Sequence, residues 1–254
     1  SVYGVSQQTY ERVSGVKGSY RQFREGLDLL IENRIPVSLK AMAIRSNIQE
    51  IEEIADFCSR HSNKKFRFDP FLQKRYDGDP KRNRLIESER LSDAEIISVE
   101  QNNFARKTAL VENCEKYIFS DPVDGGGRLF TCGILKHGFS ISYDGQLKLC
   151  PMLVHPDFMC DLKKQPLIEG YKKIAQKIVN TWSKNDKFLN TCNQCRIINL
   201  CSFCPANSYL ETSCLDDPAP YFCKNANARK DAILSWKKPD EASIKRSNKT
   251  IQNT

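Results

Sequence analysis

Between Cys192 and Cys204 the chain reads CNQCRIINLCSFC, four cysteines spaced C-x2-C-x5-C-x2-C. Four polarisable sulfurs this close in sequence reach a common centre far more readily than four separate core pockets. The spacing predicts a metal centre, with an iron–sulfur cluster as the first choice. Any fold for this chain has to bring that loop around the group it binds.

The other cysteines extend the case. Cys132 precedes Gly145 by twelve intervening residues, Cys150 follows it by four, and Cys223 lies beyond the dense run. A tetrahedral zinc site uses four ligands, whereas seven or eight cysteines suit two polynuclear clusters. Zinc remains one alternative and disulfides the other. Against disulfides stand the odd total of 11 cysteines, no recognisable secretory signal, and a length of 254 residues, enough to bury a core without staples. A cytoplasmic location is the expectation that follows.

No apolar run approaches the ~20 residues that span a bilayer, so a membrane partner is not expected. The net charge of +8 owes part of its excess to the polar stretch KKPDEASIKRSNKTIQNT, which reads as a basic, solvated tail over 236–254. Nucleic-acid binding would need a basic patch with interleaved aromatics, and none is visible.

Apolar Phe23, Leu27, Leu30 and Ile31 recur at helical spacing over 19–33, and Pro36 then leads into the apolar run VSLKAMAI. Asn47 and Glu50 read as a capping box before a one-sided helix that carries Ile51, Ile54, Ala55 and Cys58. A strand, KFRFDPF, is expected from Lys65, and residues 1–3 read as the end of an earlier one. Helix and strand alternating in this way signal βαβ units and a parallel sheet. With three strands at most, and no initiating methionine, the expectation is a cut fragment of a larger α/β domain.

Residues 73–90 read as a polar loop, Ser92 with Glu95 as a capped helix start, and DGGGR at 124–128 as a linker. Beyond it FSISY and QLKLC flank Asp144-Gly145, a hairpin signal with Ile141, Tyr143, Leu147 and Leu149 as one apolar set. An amphipathic helix over 167–182 is expected to pack on that hairpin, and a last helix to cover 223–233. Cys58 reads as a buried structural thiol, and His61, His137 and His155 as isolated residues with structural or surface roles. The domain reading is 1–130, 131–235 and the tail 236–254.

With these residues in view the second half resembles the SPASM domain, the twin-cluster extension of radical S-adenosylmethionine enzymes. Cys132, Gly145 and Cys150 match its C-x12-G-x4-C segment, followed by Cys192, Cys195, Cys201, Cys204 and then Cys223. The family places three residues between the last two cysteines of the dense run, where this chain has two. The first half, from SVYG through RSNIQEI, resembles strands four to six of the radical-enzyme partial barrel. The implied fold is α/β, a partial parallel (β/α) barrel fragment followed by a small cysteine-rich α+β cluster-binding domain. The sequence contains no C-x3-C-x2-C loop, which in the family holds the cluster that cleaves S-adenosylmethionine.

The resemblance implies two auxiliary four-iron four-sulfur (4Fe-4S) clusters. One would use Cys192, Cys195, Cys201 and Cys223, and the other Cys132, Cys150 and Cys204. A fourth ligand of the latter would come from Cys114, Cys160 or Cys214, or its position would be open. Ser1 matches a serine that contacts the ribose of S-adenosylmethionine. S-adenosylmethionine and a third cluster would belong to the intact parent enzyme. Gly126 and Pro151 stand where sulfatase-maturing relatives carry a cysteine and an acidic base, which argues against that activity.

The implied parent modifies a peptide or protein substrate, by a thioether or other crosslink or by oxidation, with an electron donor protein as second partner. The fragment alone is not expected to be catalytic. The alternatives are a non-catalytic iron–sulfur redox or peptide-recognition module and a zinc-stabilised interaction domain.

Overall fold

Ser6 starts the first helix: its hydroxyl accepts the N–H of Thr9 at 3.2 Å, capping α1 (Gln7–Ser14), and Gly15 closes it in the left-handed conformation. The computed structural model describes residues 1–62, 64, 66–119, 126–136, 138–201 and 203–237. The last described residue is therefore 237, so most of the tail read over 236–254 lies outside them, as do Lys65, His137 and the start of the 124–128 linker. The chain divides into two compact units, Ser1–Asn103 and Phe104–Thr254.

In the first unit α2 (Ser19–Glu32) follows the predicted periodicity, with Leu27 buried and Phe23 stacked on Tyr10 at 4.9 Å between ring centroids. β1 (Lys40–Met42) and β2 (Arg67–Asp69) pair in parallel, with Ala41 opposite Phe68. The crossover between them is α3 (Ile51–His61), whose Ile51, Ile54, Phe57 and Cys58 are buried against the sheet's core. Residues 1–3 form no strand, although the Val2 N–H donates to the Lys40 carbonyl at 2.8 Å beside β1.

The capping box expected at Asn47 and Glu50 does not form. Asn47 makes no side-chain cap, and a single 3-10 turn, Ile48–Glu50, precedes α3. Residues 73–90 are also more ordered than expected. Asp79 accepts the N–H groups of Lys81 and Arg82, and Pro80 occupies the first turn of α4 (Pro80–Glu89). The capping box of Ser92 and Glu95 is present in full at the start of α5 (Asp93–Asn102).

The second unit opens with α6 (Phe104–Cys114) and α7 (Lys116–Phe119). The hairpin forms as β3 (Ser140–Ile141) and β4 (Gln146–Lys148), with Gly145 at φ 89° in the turn, where an L side chain would be strained. β5 (Met159–Asp161), which the sequence reading did not anticipate, pairs antiparallel with β4. α8 (Leu167–Val179) lies on β4 and β5, burying Gly170, Ile174 and Ile178 at i, i+4 spacing. Leu147 and Leu149 are buried as the core of the hairpin, but Ile141, on the edge strand β3, is 49% exposed and Tyr143, in the turn, 105%.

Short α9 (Asp186–Asn190) and α10 (Ile198–Cys201) lead to α11 (Pro205–Thr212) and to the long α12 (Pro220–Lys237), which extends beyond the expected 223–233 at both ends. The fold is thus mixed α/β. Among the described residues it holds one two-stranded parallel and one three-stranded antiparallel sheet, and neither closes into a barrel. No described helix is long and apolar enough to cross a membrane.

Candidate metal centre

The dense cysteine run is shaped by tight turns. Cys192–Gln194 is a 3-10 turn closed by the Cys195 N–H on the Cys192 carbonyl at 3.2 Å. In that geometry side chains three apart eclipse one another, so C-x2-C sets two sulfurs on one side of the backbone. The Ile198 N–H donates to the Cys195 carbonyl at 3.1 Å and the Cys201 N–H to the Ile197 carbonyl at 2.9 Å, which wraps the five-residue spacer into one further turn. Cys223 arrives from a different element, the first turn of α12.

These turns bring Cys192, Cys195, Cys201 and Cys223 around one cavity of about 40 Å³, walled by Ile197, Ile198, Phe203, Pro218, Phe222 and Ala226. Burial raises the Cys201 thiol to about 12, and the neighbouring Cys223, Cys192 and Cys195 sulfurs add to the shift. Burial likewise raises Cys192, with Cys195 and Cys223 contributing and the Thr191 hydroxyl opposing. The four thiols line one cavity, and their burial disfavours bare thiolate. A bound cation is what would stabilise the deprotonated form.

Cys204 belongs to a second neighbourhood. Burial raises its thiol, the backbone N–H groups of Asn207 and Ala206 oppose the shift, and the Cys150 and Cys132 sulfurs reinforce it. It occupies the N-cap position of α11, which explains those two donors. Cys132 is exposed, and with Cys204, Arg128, Asn193 and Asn199 it lines an adjoining cleft of about 400 Å³. Cys204 also borders the cavity of the other four thiols, so it stands between the two groups.

The other four cysteines line neither of these volumes. Cys160 is buried on β5 beside Gly170, its Sγ in contact with the Gln165 amide. Cys214 is exposed after α11, where its N–H donates to the Thr212 hydroxyl. Cys114 packs in the same apolar cluster as Cys195 and Cys201. None of the 11 cysteines is in a disulfide. Cys58 is buried on α3, its thiol pushed up to about 11 by burial. His61 bonds the Phe57 carbonyl, and His155 accepts the Asp157 N–H while packing edge-on to Tyr209. Ser1 is exposed.

Among the described residues no three His, Cys, Asp or Glu side chains close on a point that would hold a single metal ion. A tetrahedral zinc with 2.3 Å bonds to sulfur needs its thiolates about 3.8 Å apart. The cavity that the four thiols line, about 40 Å³, is larger than one water molecule needs. The candidate donors are all sulfur and the wall is mostly apolar, with Asn207 and Ser208 as its polar residues, a chemistry that an iron–sulfur group would fit.

Two polar residues of this centre carry no signal in the cysteine spacing. The Asn227 amide reaches the Cys223 Sγ at 3.8 Å, one helical turn along, and Asn207 stands three residues after Cys204. Helical spacing from the cysteines would have found both. No protein family, curated protein or solved structure matches this chain.

Proposed function

We propose that this chain is the auxiliary-cluster portion of a radical S-adenosylmethionine enzyme of the SPASM type, whose intact form modifies a peptide or protein side chain. The observation that carries this reading is the partition of seven thiols into two neighbourhoods that meet at Cys204. Cys192, Cys195, Cys201 and Cys223 would hold one 4Fe-4S cluster, and Cys132, Cys150 and Cys204 would supply three ligands to the other. Such clusters supply one-electron transfer at potentials set by ligation, burial and hydrogen bonds to sulfur.

The chain's own residues favour bound thiolates there. Cys204 sits at the N-terminus of α11, where the Ala206 and Asn207 N–H groups point at its sulfur, and Cys223 in the first turn of α12, where the helix dipole stabilises negative charge. The apolar wall of Ile197, Phe203 and Phe222 limits water at the first group. In the same reading the parallel β1, α3 and β2 of the first unit are part of the partial barrel. S-adenosylmethionine and the third cluster belong to the intact parent, and a peptide or protein substrate and an electron donor protein are its partners.

Anaerobic quantification of iron, sulfide and zinc per chain, with the ultraviolet–visible spectrum of the same sample, tests the reading. About eight irons and eight sulfides with absorption near roughly 400 nm are expected. One or two zincs in a colourless protein that takes up no iron on reconstitution would sink it, because d10 zinc has no such absorption.

A further inference from the structure

Asn207 meets both thiol neighbourhoods, through different atoms. Its backbone N–H reaches the Cys204 sulfur, while its side chain lines the cavity of Cys192, Cys195, Cys201 and Cys223. Its Oδ1 is buried without a hydrogen-bond partner. An orphaned buried acceptor costs about 1–3 kcal/mol and calls for an explanation. A half-turn of the amide exchanges the oxygen for an NH2 group in nearly the same volume, converting the acceptor into a donor of two hydrogen bonds. Against a sulfur-lined cavity the donor orientation is the one that finds partners.

We propose that Asn207 is a potential-setting residue, which turns its side-chain Nδ2 toward the group held by Cys192, Cys195, Cys201 and Cys223 and so makes that group easier to reduce than it would otherwise be. The physical basis is the sign of the charge. Reduction adds an electron to an anionic sulfur cage, and an N–H donor to sulfur stabilises the more negative state. Because the other neighbourhood receives only Asn207's backbone N–H, replacing the side chain should move one potential and leave the other in place. Asn207 thereby sets the gap between the two groups. The inference rests on the cluster reading above.

The test is an anaerobic redox titration of the reconstituted full chain, followed by electron paramagnetic resonance, on wild type, Asn207→Leu and Asn207→Asp. The Leu side chain keeps the volume and donates nothing. The Asp side chain adds negative charge. At a fixed applied potential near the wild-type midpoint, Asn207→Leu should lower the reduced-to-oxidised ratio of one signal about tenfold, equivalent to ~59 mV for one electron. Asn207→Asp should lower it further, and the second signal should stay where it is in wild type.

If both signals stay put in both variants, or move together, Asn207 is a packing residue and this inference falls while the cluster reading stands. If Asn207→Leu loses iron, the Asp variant decides, and an unshifted midpoint there overturns the proposal. A wild-type chain that takes up neither iron nor sulfide overturns the proposal together with the reading beneath it.

Discussion

Asn47 donates its side-chain amide to the Tyr3 carbonyl at 3.0 Å, a bond between residues 44 apart in sequence. The same Nδ2 donates to the Met42 carbonyl at 3.0 Å, and Oδ1 accepts the Ile44 N–H at 2.9 Å. Only 1% of Asn47 is exposed. Its amide therefore bolts the 1–6 segment onto the end of β1. Asn47→Ala should cost ~3 kcal/mol, the sum of lost bonds and backbone groups left unpaired. Hydrogen exchange should accelerate over 3–6 and 42–44. A urea midpoint within experimental error of wild type would show that the segment is held some other way.

Glu50 holds the same segment through charge. Its carboxylate accepts the N–H of Val5 at 2.8 Å and of Ser6 at 3.1 Å, and the Ser6 hydroxyl as well. Burial alone would raise its pKa, but hydrogen bonds from Ser6, Thr9 and Val5 outweigh burial and hold it below the usual carboxylate range. A depressed folded-state pKa stabilises the fold above the unfolded value, and the benefit is lost as pH falls through the folded one. Denaturation midpoints should therefore drop from roughly pH 5 downward in wild type, by more than in Glu50→Gln. At neutral pH that variant should cost about 1–2 kcal/mol. Parallel acid profiles for the two proteins would contradict the assignment.

These two residues also mark where sequence reading reaches its limit. Asn47 and Glu50 carry the same polar-x-x-Glu spacing as Ser92 and Glu95, yet only the latter pair caps its own helix. The difference lies in tertiary partners, Tyr3, Val5 and Ser6, that local spacing does not reveal. α4 went unread because its charged residues mask the Asp79-Pro80 start signal, and β5 because three residues carry too little periodicity. The turn from Cys192 to Cys195 is legible because a 3-10 turn fixes side chains three apart. The arrival of Cys223 from α12 is set by the packing of α10 against that helix, which no local pattern encodes.

Cys204 lies between the two neighbourhoods, interacting with Cys132 and Cys150 while bordering the cavity of the other four. Its loss should loosen both. Reconstituted Cys204→Ala should bind less iron than Cys132→Ala, whose thiol is exposed and touches only the cleft side. Iron and sulfide counts on the two variants check this. Equal counts, with one cluster fully intact in each, would count against the coupling.

Gly170 and Cys160 are packed against each other, and this pair separates a ligand from a core thiol. A Cβ at Gly170 would lie 2.7 Å from Cys160 Sγ and 3.3 Å from Leu147 Cδ2, with Leu147 fully buried. At the end of the first turn of α8 an alanine gains up to ~1 kcal/mol of helix propensity. Overpacking a closed core costs typically ~1–3 kcal/mol, so Gly170→Ala should destabilise by about 1–2 kcal/mol on balance. The contact is with a sulfur, and Cys160→Ala should therefore rescue part of that loss in the double variant. Cys160→Ala alone should keep the wild-type iron content, since the thiol faces α8 and the Gln165 amide. A loss of iron in Cys160→Ala equal to that in Cys150→Ala would instead make Cys160 the fourth ligand of the Cys132, Cys150 and Cys204 group.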